Sequence, residues 1–265
     1  TTLAPRIGNA PHRICETPSG MINAIGLQNP GVDRVIDDIL PRLDFGETRF
    51  IANVSGSSVE EYYEVTRRFD DSPIDAMEVN ISCPNVKQGG VAFGNDPLMS
   101  ARVVAACRKA TRKPIITKLS PNQTDIAANA RGCLEAGSDA FSVINTLMGM
   151  AIDVDSRTPV IGNNQGGLSG PAIKPIALLK VHQVYQVCRE HGVPIIGQGS
   201  PDMVLMTFAY VSGFCGILLS PAHLCLALTA DYFKAEMREV YRILVWPVAA
   251  VFTAALLELL IFRIL

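Results

Sequence analysis

The 265-residue sequence lacks an excess of charge of either sign. Its formal net charge is −2, and 48% of its residues are apolar. This composition argues against an intrinsically disordered chain and against a protein that binds nucleic acid through bulk electrostatic attraction. No nucleic-acid partner is therefore expected.

The seven cysteines lack the paired spacing of a metal or redox motif. No two of them form a Cys-x-x-Cys pair, which disfavours a zinc site, an iron–sulfur cluster held by this chain and a disulfide framework. We therefore expect no metal site. Because scattered free thiols fit a reducing compartment best, residues 1–200 are expected to be cytoplasmic.

The sequence also lacks a start signal. It begins with Thr1 rather than Met, and no basic segment followed by an apolar stretch precedes its first motif. We therefore expect that the sequence begins inside a longer protein.

Residues 1–200 alternate short apolar runs with amphipathic stretches, the pattern typical of α/β proteins built from repeated βα units around a parallel sheet. Each apolar run is followed by polar, Gly or Pro residues. The pattern predicts five strands, at residues 50–54, 76–81, 114–119, 140–144 and 194–197. It also predicts helices at residues 58–69, 97–109, 124–136 and 174–191. Ser58 is the predicted N-cap of the first helix.

Residues 201–265 differ in composition, because charge is almost absent from two long runs. Residues 203–230 contain no Asp, Glu, Lys or Arg, and residues 243–262 contain only Glu258. A membrane-spanning helix needs about 20 largely apolar residues. We therefore predict a hydrophobic, transmembrane tail of two helices. Pro221 interrupts the first run, which is typical of a broken helix beside a substrate path or of a kinked packing helix.

Residues 78–85 place Cys83 between Asn80 and Asn85, directly after an apolar, strand-like run. In α/β barrels such strand ends carry the chemistry. Cys83 is therefore a candidate base or nucleophile, and the alternative is a buried thiol that packs as a small hydrophobe. The polar neighbours Asn80, Ser82 and Asn85 favour the first interpretation, because polar groups without hydrogen-bond partners are costly in a core and a planar polar ligand would satisfy them.

Several motifs in order identify a family resemblance. They lie at residues 16–30, 80–86, 118–121, 144–146 and 166–171. With these motifs, residues 1–200 resemble the catalytic subunit of class 1B dihydroorotate dehydrogenase, an FMN protein of pyrimidine synthesis. The resemblance implies a (β/α)8 barrel. Together with the five predicted strands, it predicts an incomplete TIM-type barrel followed by two membrane-like apolar helices.

The resemblance implies oxidation of dihydroorotate to orotate. In the family, the position of Cys83 takes a proton from the substrate ring while a hydride passes to FMN. The positions that match substrate-binding residues are Asn23, Ala24, Ile25, Gly26, Leu27, Asn80, Asn85, Asn145 and Thr146. Those that match FMN-binding residues are Asn53, Asn80, Lys118, Ile144, Gly170 and Gly199. Without the resemblance, Lys118 would be interpreted as a strand-end lysine that reaches solvent.

The resemblance also implies partners. In class 1B, electrons continue to NAD through a partner subunit that carries FAD and an iron–sulfur cluster, and the catalytic subunit forms a homodimer. Residues 201–265 resemble, less specifically, the C-terminal end of a transporter-like membrane protein. This likeness implies membrane association through residues 203–262. The glycines of residues 89–94 are typical of either a mobile cover over the substrate or a flexible surface loop.

The sequence departs from the family at both ends of the resemblance. The family's first two strands, with a lysine that contacts flavin and substrate, would precede Thr1, and Ser200 stands where the phosphate loop has a second consecutive glycine. We therefore expect a weakened FMN phosphate site. A second hypothesis is a chimeric or fragmentary membrane protein with an inactive barrel remnant. A third is two reading frames joined in error near residues 200–201.

Overall fold

The computed structural model describes residues 1–82 and 94–197, together with Trp246, Ala249 and Thr253. The chain divides into two compact units, Thr1–Gln198 and Gly199–Leu265. The second unit is described only at the three isolated residues, which are helical and exposed. The predicted membrane helices of the tail otherwise lie outside the described residues. Within the described ranges, no helix combines the length and the apolar character needed to cross a membrane.

The first unit contains the described strands and helices. The strands are β1 (Ile14–Thr17), β2 (Gly20–Asn23), β3 (Ile51–Val54), β4 (Ala76–Asn80), β5 (Ile115–Leu119), β6 (Ala140–Val143), β7 (Leu147–Gly149), β8 (Ile152–Asp153), β9 (Thr158–Pro159), β10 (Gly166–Ser169) and β11 (Ile195–Gly197). The α-helices are α1 (Val32–Arg34), α2 (Val59–Asp70), α3 (Pro97–Ala110), α4 (Ile126–Glu135) and α5 (Lys174–Cys188). A π-helical turn (Val35–Ile39) and a 3-10 turn (Leu40–Arg42) extend α1.

A parallel sheet forms the centre of this unit. Its strands β3, β4, β5, β6 and β11 lie side by side in chain order. All five were predicted from the apolar runs, and each observed boundary lies within one residue of the predicted one. The α/β class and the parallel sheet are therefore confirmed. The four predicted helices are confirmed as α2, α3, α4 and α5, although α5 ends at Cys188 rather than residue 191.

Side chains alternate between the two faces of each strand. One alternate set, which includes Val54, Met77 and Phe141, is fully buried together with apolar residues of the helices and forms the core. We call the opposite side the inner face. It carries the apolar cluster of Ala76, Ile116 and Ala140 near the start of the strands, and polar residues near their ends.

Side-chain caps mark the starts of α2, α3 and α4. Ser58 Oγ accepts a hydrogen bond from Glu61 N at 3.3 Å, which confirms the predicted N-cap of α2. Asp96 caps α3, with Pro97 in its first turn, and Asp125 caps α4. These caps stop the helices from extending back into the loops that follow the strands.

A four-stranded antiparallel sheet was not predicted. Its order is β1, β2, β10, β7, and it contains parts of the motifs at residues 16–30 and 166–171. Its strands are short and partly exposed. In the pairing of β2 with β10, Asn23 lies opposite Gly167, which is 144 positions away in the sequence. A Cβ on Gly167 would overlap Thr146, so this glycine permits close approach of β10 to the end of the parallel sheet.

Three buried cysteines link the stability of this unit to pH. Cys107, Cys133 and Cys188 are fully buried. Burial raises the pKa of Cys107 and Cys188 to about 11 and the pKa of Cys133 to about 12, from an ordinary value of 9.0. The native state therefore keeps these thiols protonated at a pH where the unfolded chain ionises them. Their stabilising contribution is complete below pH 9 and is lost as the pH rises through the folded values.

We therefore expect the free energy of unfolding to fall between about pH 9 and pH 12 in urea titrations with reductant present. Because lysines and tyrosines also titrate there, the control is the variant that combines Cys107→Ala, Cys133→Ala and Cys188→Ala. Its stability should decline less steeply with pH than that of the native chain. Equal slopes would contradict the assignment of this pH dependence to the thiols.

Candidate functional site

The carboxyl ends of the parallel strands bring several predicted site residues to one edge of the sheet. Asn53 lies near the end of β3, Asn80 ends β4, and Lys118 is next to last in β5. Ile144 follows β6, and Asn80 and Lys118 are partners in the β4–β5 register. Parallel strands end at the same edge, which is where α/β barrels place their active sites. The sequence prediction that these residues lie together is consistent with this placement.

A hydrogen-bond network joins the substrate-binding asparagines through Ser82. The Oδ1 atom of Asn80 accepts from Ser82 N at 3.2 Å and from Ser82 Oγ at 3.0 Å. Asn145 Nδ2 donates to Ser82 Oγ at 2.8 Å, and Asn145 Oδ1 accepts from Thr146 N at 2.7 Å. Ser82 is fully buried, and Asn80 is 7% exposed. Sequence reasoning identified both asparagines as substrate residues, and it gave Ser82 no role beyond that of a polar neighbour of Cys83.

A second network lies on the inner face around Glu78. Asn53 Nδ2 donates to Glu78 Oε1 at 2.6 Å, and Lys118 Nζ lies 3.5 Å from the same oxygen. The side chains of Lys118 and Glu78 are only 16% and 19% exposed. The alternative that Lys118 simply reaches solvent is therefore wrong. Glu78 was also missed, although an acidic residue within an apolar strand is the sequence signal that indicates such a pairing.

Asn122 holds the segment that follows β6. Its Nδ2 atom donates to Thr146 O at 2.9 Å, and its Oδ1 atom accepts from Met148 N at 2.8 Å. One amide thus satisfies a backbone carbonyl and a backbone N–H on either side of Leu147. The loop after β5 therefore supports the positions of Asn145 and Thr146. Asn122 was not predicted as a site residue, and its place after the 118–121 motif is the signal that could have indicated it.

The predicted substrate segment 23–27 follows β2 in the antiparallel sheet. Asn23 Nδ2 donates to Gly167 O at 3.4 Å, and Gly167 is also paired with Met148 of β7. The sheet spacing therefore places Asn23 about 10 Å from Met148, two strands away. Asn9 supports the backbone of this segment, because its N–H donates to Ile25 O and its Nδ2 donates to Ala24 O.

Two residues of this segment, Gly26 and Leu27, have φ values of 77° and 58°. Leucine rarely adopts a positive φ, so the backbone of this turn is held in an uncommon conformation. Gly170, one of the predicted flavin residues, follows β10 with φ 100° and lies against Gly20. It is therefore at the opposite end of the β2–β10 pair from Asn23.

Three predicted site residues, Cys83, Asn85 and Gly199, lie outside the described residues. Ser82 and Gly94 are the described residues on the two sides of residues 83–93. Gly94 O accepts from Asn129 Nδ2 at 3.0 Å, and Asn129 Oδ1 accepts from the buried Ser100 Oγ at 2.7 Å. Both ends of this interval are thus tied to the first unit by buried hydrogen bonds.

Side chains near the carboxyl edge of the parallel sheet suit a flavin such as FMN. Lys118 provides a cation, Asn53 provides an amide, and the buried Ser55 Oγ, which follows β3, has no hydrogen-bond partner among the described residues. A flavin presents carbonyl and ring-nitrogen acceptors that such donors can satisfy. In the described parts of the chain, no group of three His, Cys, Asp or Glu side chains could hold a metal ion.

Two family models match the sequence. The model described as dihydroorotate dehydrogenase matches residues 1–201. A second model, described as a protein of unknown function (DUF401), matches residues 195–264. The two matches overlap only at residues 195–201, next to the division between the two compact units.

Curated relatives match the first of these regions. The chain is 56% identical over 199 residues to the dihydroorotate dehydrogenase B (NAD(+)), catalytic subunit, of Pelobacter propionicus, and 57% identical over 199 residues to that of Trichlorobacter lovleyi. Each alignment covers 75% of this chain and 64% of the relative. The chain therefore spans less than two thirds of the length of these relatives.

A solved structure shares the fold. The crystal structure of DHODH in complex with ferulenol from Eimeria tenella matches with a TM-score of 0.56 and 20% sequence identity, over 71% of this chain and 58% of that one. Together with the family match, this likeness implies that the five parallel strands belong to a TIM barrel. Because the first family model covers most of the sequence, the chain belongs to the dihydroorotate dehydrogenase family.

Proposed function

We propose that this chain oxidises dihydroorotate to orotate, a step of pyrimidine biosynthesis. The observation that carries the proposal is the hydrogen-bonded group of Asn80, Ser82 and Asn145 at the carboxyl edge of the parallel sheet. The family membership of the chain and its 56% sequence identity to a catalytic subunit of dihydroorotate dehydrogenase B support the same function.

The chemistry of the substrate fits this edge. Dihydroorotate is a ring with amide N–H groups, carbonyl oxygens and a carboxylate, so it needs both donors and acceptors in one plane. Each asparagine amide offers both. We assign substrate binding to Asn23, Asn80, Asn85, Asn145 and Thr146, together with the backbone of residues 24–27.

Cys83 is the proposed base. It directly follows Ser82, whose buried hydrogen bonds hold the preceding backbone in one position. In the reaction, one ring carbon of dihydroorotate loses a proton to the Cys83 thiolate and the adjacent carbon loses a hydride, which leaves a carbon–carbon double bond in orotate. FMN, when bound, supplies the hydride acceptor.

We assign FMN binding to Asn53, Asn80, Lys118, Ile144, Gly170 and Gly199. Lys118 offers a positive charge that would favour electron acceptance by a flavin held at the inner face, and Glu78 holds that lysine in place. The relatives are named as catalytic subunits of an NAD(+) enzyme, which supports the proposal that a partner subunit passes the electrons on to NAD. We propose that this partner carries FAD and an iron–sulfur cluster, and that catalytic subunits form a homodimer.

A second candidate is a two-part chain whose first 200 residues do no chemistry. The separate match of residues 195–264 to another family favours it, because this match overlaps the dihydroorotate dehydrogenase match only at residues 195–201. In this case residues 201–265 would form an independent hydrophobic domain, and the inner face would bind no flavin.

The absorbance of the purified 265-residue chain tests both candidates. We expect one flavin per chain, with visible absorbance that is bleached by dihydroorotate without oxygen, because the substrate reduces the bound flavin. Orotate, the control ligand, should change the flavin spectrum without bleaching it. A colourless chain, or a bound flavin that dihydroorotate does not bleach, would contradict the proposed activity and favour the second candidate.

A further inference from the structure

The hydrogen bonds around Ser82 have directions that the chemistry of their atoms determines. The backbone N–H of Ser82 can only donate, so the Asn80 atom 3.2 Å away is the amide oxygen. Ser82 Oγ lies 3.0 Å from the same oxygen, which can only accept. The single hydroxyl proton of Ser82 is therefore directed to Asn80.

The remaining contact of Ser82 Oγ must then be one in which the oxygen accepts. Asn145 Nδ2, at 2.8 Å, is a donor and satisfies this requirement. The orientation of the Asn145 amide is supported independently, because the backbone N–H of Thr146 donates to Asn145 Oδ1 at 2.7 Å. The backbone N–H of Ser82 thus determines the orientation of the Asn80 amide, and the backbone N–H of Thr146 determines that of the Asn145 amide. The Ser82 hydroxyl joins the two amides, and its hydrogen bonds agree with both orientations.

This arrangement leaves the Nδ2 group of the Asn80 amide, which is a donor, available to a ligand. Its oxygen is occupied by Ser82, and its Nδ2 atom makes no hydrogen bond within the described residues. The backbone of Asn80 is also held, since Tyr62 Oη donates to Asn80 O at 2.7 Å. A ligand group that meets the Asn80 side chain must therefore be an acceptor, such as a carbonyl or carboxylate oxygen.

We propose that Ser82 is a positioning residue that orients the amides of Asn80 and Asn145 for the substrate and makes Asn80 a donor to a substrate oxygen. This inference rests on the proposed function and adds a direction to its substrate contacts. Ser82 touches neither substrate nor flavin in this role, and it acts through the two asparagines. The full burial of Ser82 excludes competing water, which would otherwise let either amide rotate.

Ser82→Ala tests the role. Without the hydroxyl, Asn145 Nδ2 loses its acceptor and Asn80 Oδ1 loses one of two donors, so each amide can turn away from its binding orientation. We expect the Kd for orotate and the KM for dihydroorotate to rise about tenfold, with a smaller change in kcat and unchanged flavin content.

Ser138→Ala is the matched control. Ser138 is only 5% exposed, and its hydroxyl, like that of Ser82, makes two hydrogen bonds, to Ala140 O and with Thr117 Oγ1. It precedes β6, at the end of the parallel strands opposite to the proposed substrate residues. Ser138→Ala should lower stability to a similar degree and leave the orotate Kd unchanged. If Ser138→Ala weakens orotate binding as much as Ser82→Ala does, or if Ser82→Ala leaves the Kd unchanged, the positioning role is overturned.

A measurement without flavin or substrate keeps the inference separate from the proposed function. In the full chain labelled with ¹⁵N-asparagine, Asn145→Ala identifies the side-chain amide signals of Asn145. Ser82→Ala should shift these signals while those of Asn163, whose Nδ2 donates to Gln165 O within its own turn, stay in place. Unchanged Asn145 signals would overturn the network even if the chain oxidises dihydroorotate. Shifted signals in a chain that binds no orotate would refute the proposed function and, with it, the role of Ser82 in substrate binding.

Discussion

Cys83→Ser is expected to leave flavin bound and to slow its reduction by dihydroorotate by about 10²- to 10⁴-fold, the usual contribution of a general base. Serine has nearly the size of cysteine, but its hydroxyl does not ionise near neutral pH, so it cannot accept the ring proton as a thiolate does. Anaerobic rapid-mixing absorbance measures the rate at which the flavin band disappears, and the resting spectrum measures flavin content.

Cys15→Ser is the control for this measurement. Cys15 lies in β1 and is partly exposed, and its thiol contacts the backbone carbonyl of Glu16 rather than the asparagine network. Its replacement should leave the bleaching rate within about twofold, as expected for a surface substitution away from the site. Bleaching that persists at the native rate in Cys83→Ser would show that another group takes the proton.

Removing one charge of the Glu78–Lys118 pair is expected to destabilise the chain more than removing both. Each side chain is less than one fifth exposed, so a single replacement leaves the opposite charge in a poorly solvated place. We expect Glu78→Met or Lys118→Met to lower the free energy of unfolding by about 2–4 kcal/mol, and the double variant to recover most of this loss. Urea titration of the four proteins measures the effect.

Flavin content separates the structural role of this pair from its proposed binding role. The double variant removes the positive charge of Lys118 and the acceptor that holds the Asn53 amide, so we expect it to be stable but depleted of FMN. Arg49→Met with Asp75→Met is the control, because Arg49 and Asp75 also form an ion pair, with an N···O distance of 2.8 Å and side chains 84% and 28% exposed, and Asp75 directly precedes β4 at the end opposite to the candidate site. Full FMN content in the Glu78–Lys118 double variant would contradict the assignment of Lys118 as a flavin residue.

Much of the first unit could be predicted from the sequence, because its pattern is local. Apolar runs of about five residues between amphipathic stretches indicated the five parallel strands, and Ser58 indicated the start of α2. The antiparallel sheet could not be predicted in this way. Its strands contain three or four residues, several of them glycine, and they are stabilised by partners far away in the chain.

The candidate site was predicted in part, chiefly through the family resemblance. The motifs of that resemblance indicated Asn80, Lys118 and Asn145, whereas the residue pattern alone would have left Lys118 as a strand-end lysine that reaches solvent. Glu78 and Asn122 were missed and Ser82 was named only as a polar neighbour of Cys83, since each acts by contacting a residue on another strand or loop. Periodicity shows which face a side chain occupies, but it does not show which neighbour it meets.

By itself, the sequence determined the family and the type of reaction to be tested, because the five motifs between residues 16 and 171 and their order along the chain identify the first, and Cys83 with its polar neighbours indicates the second. Only the tertiary structure decided how the asparagines are oriented. Asn145 and Ser82 are 63 positions apart, and the direction of a hydrogen bond between them depends on the relative placement of two strand ends. Folding sets that placement through the pairing of β4, β5 and β6 and the packing of the helices against them.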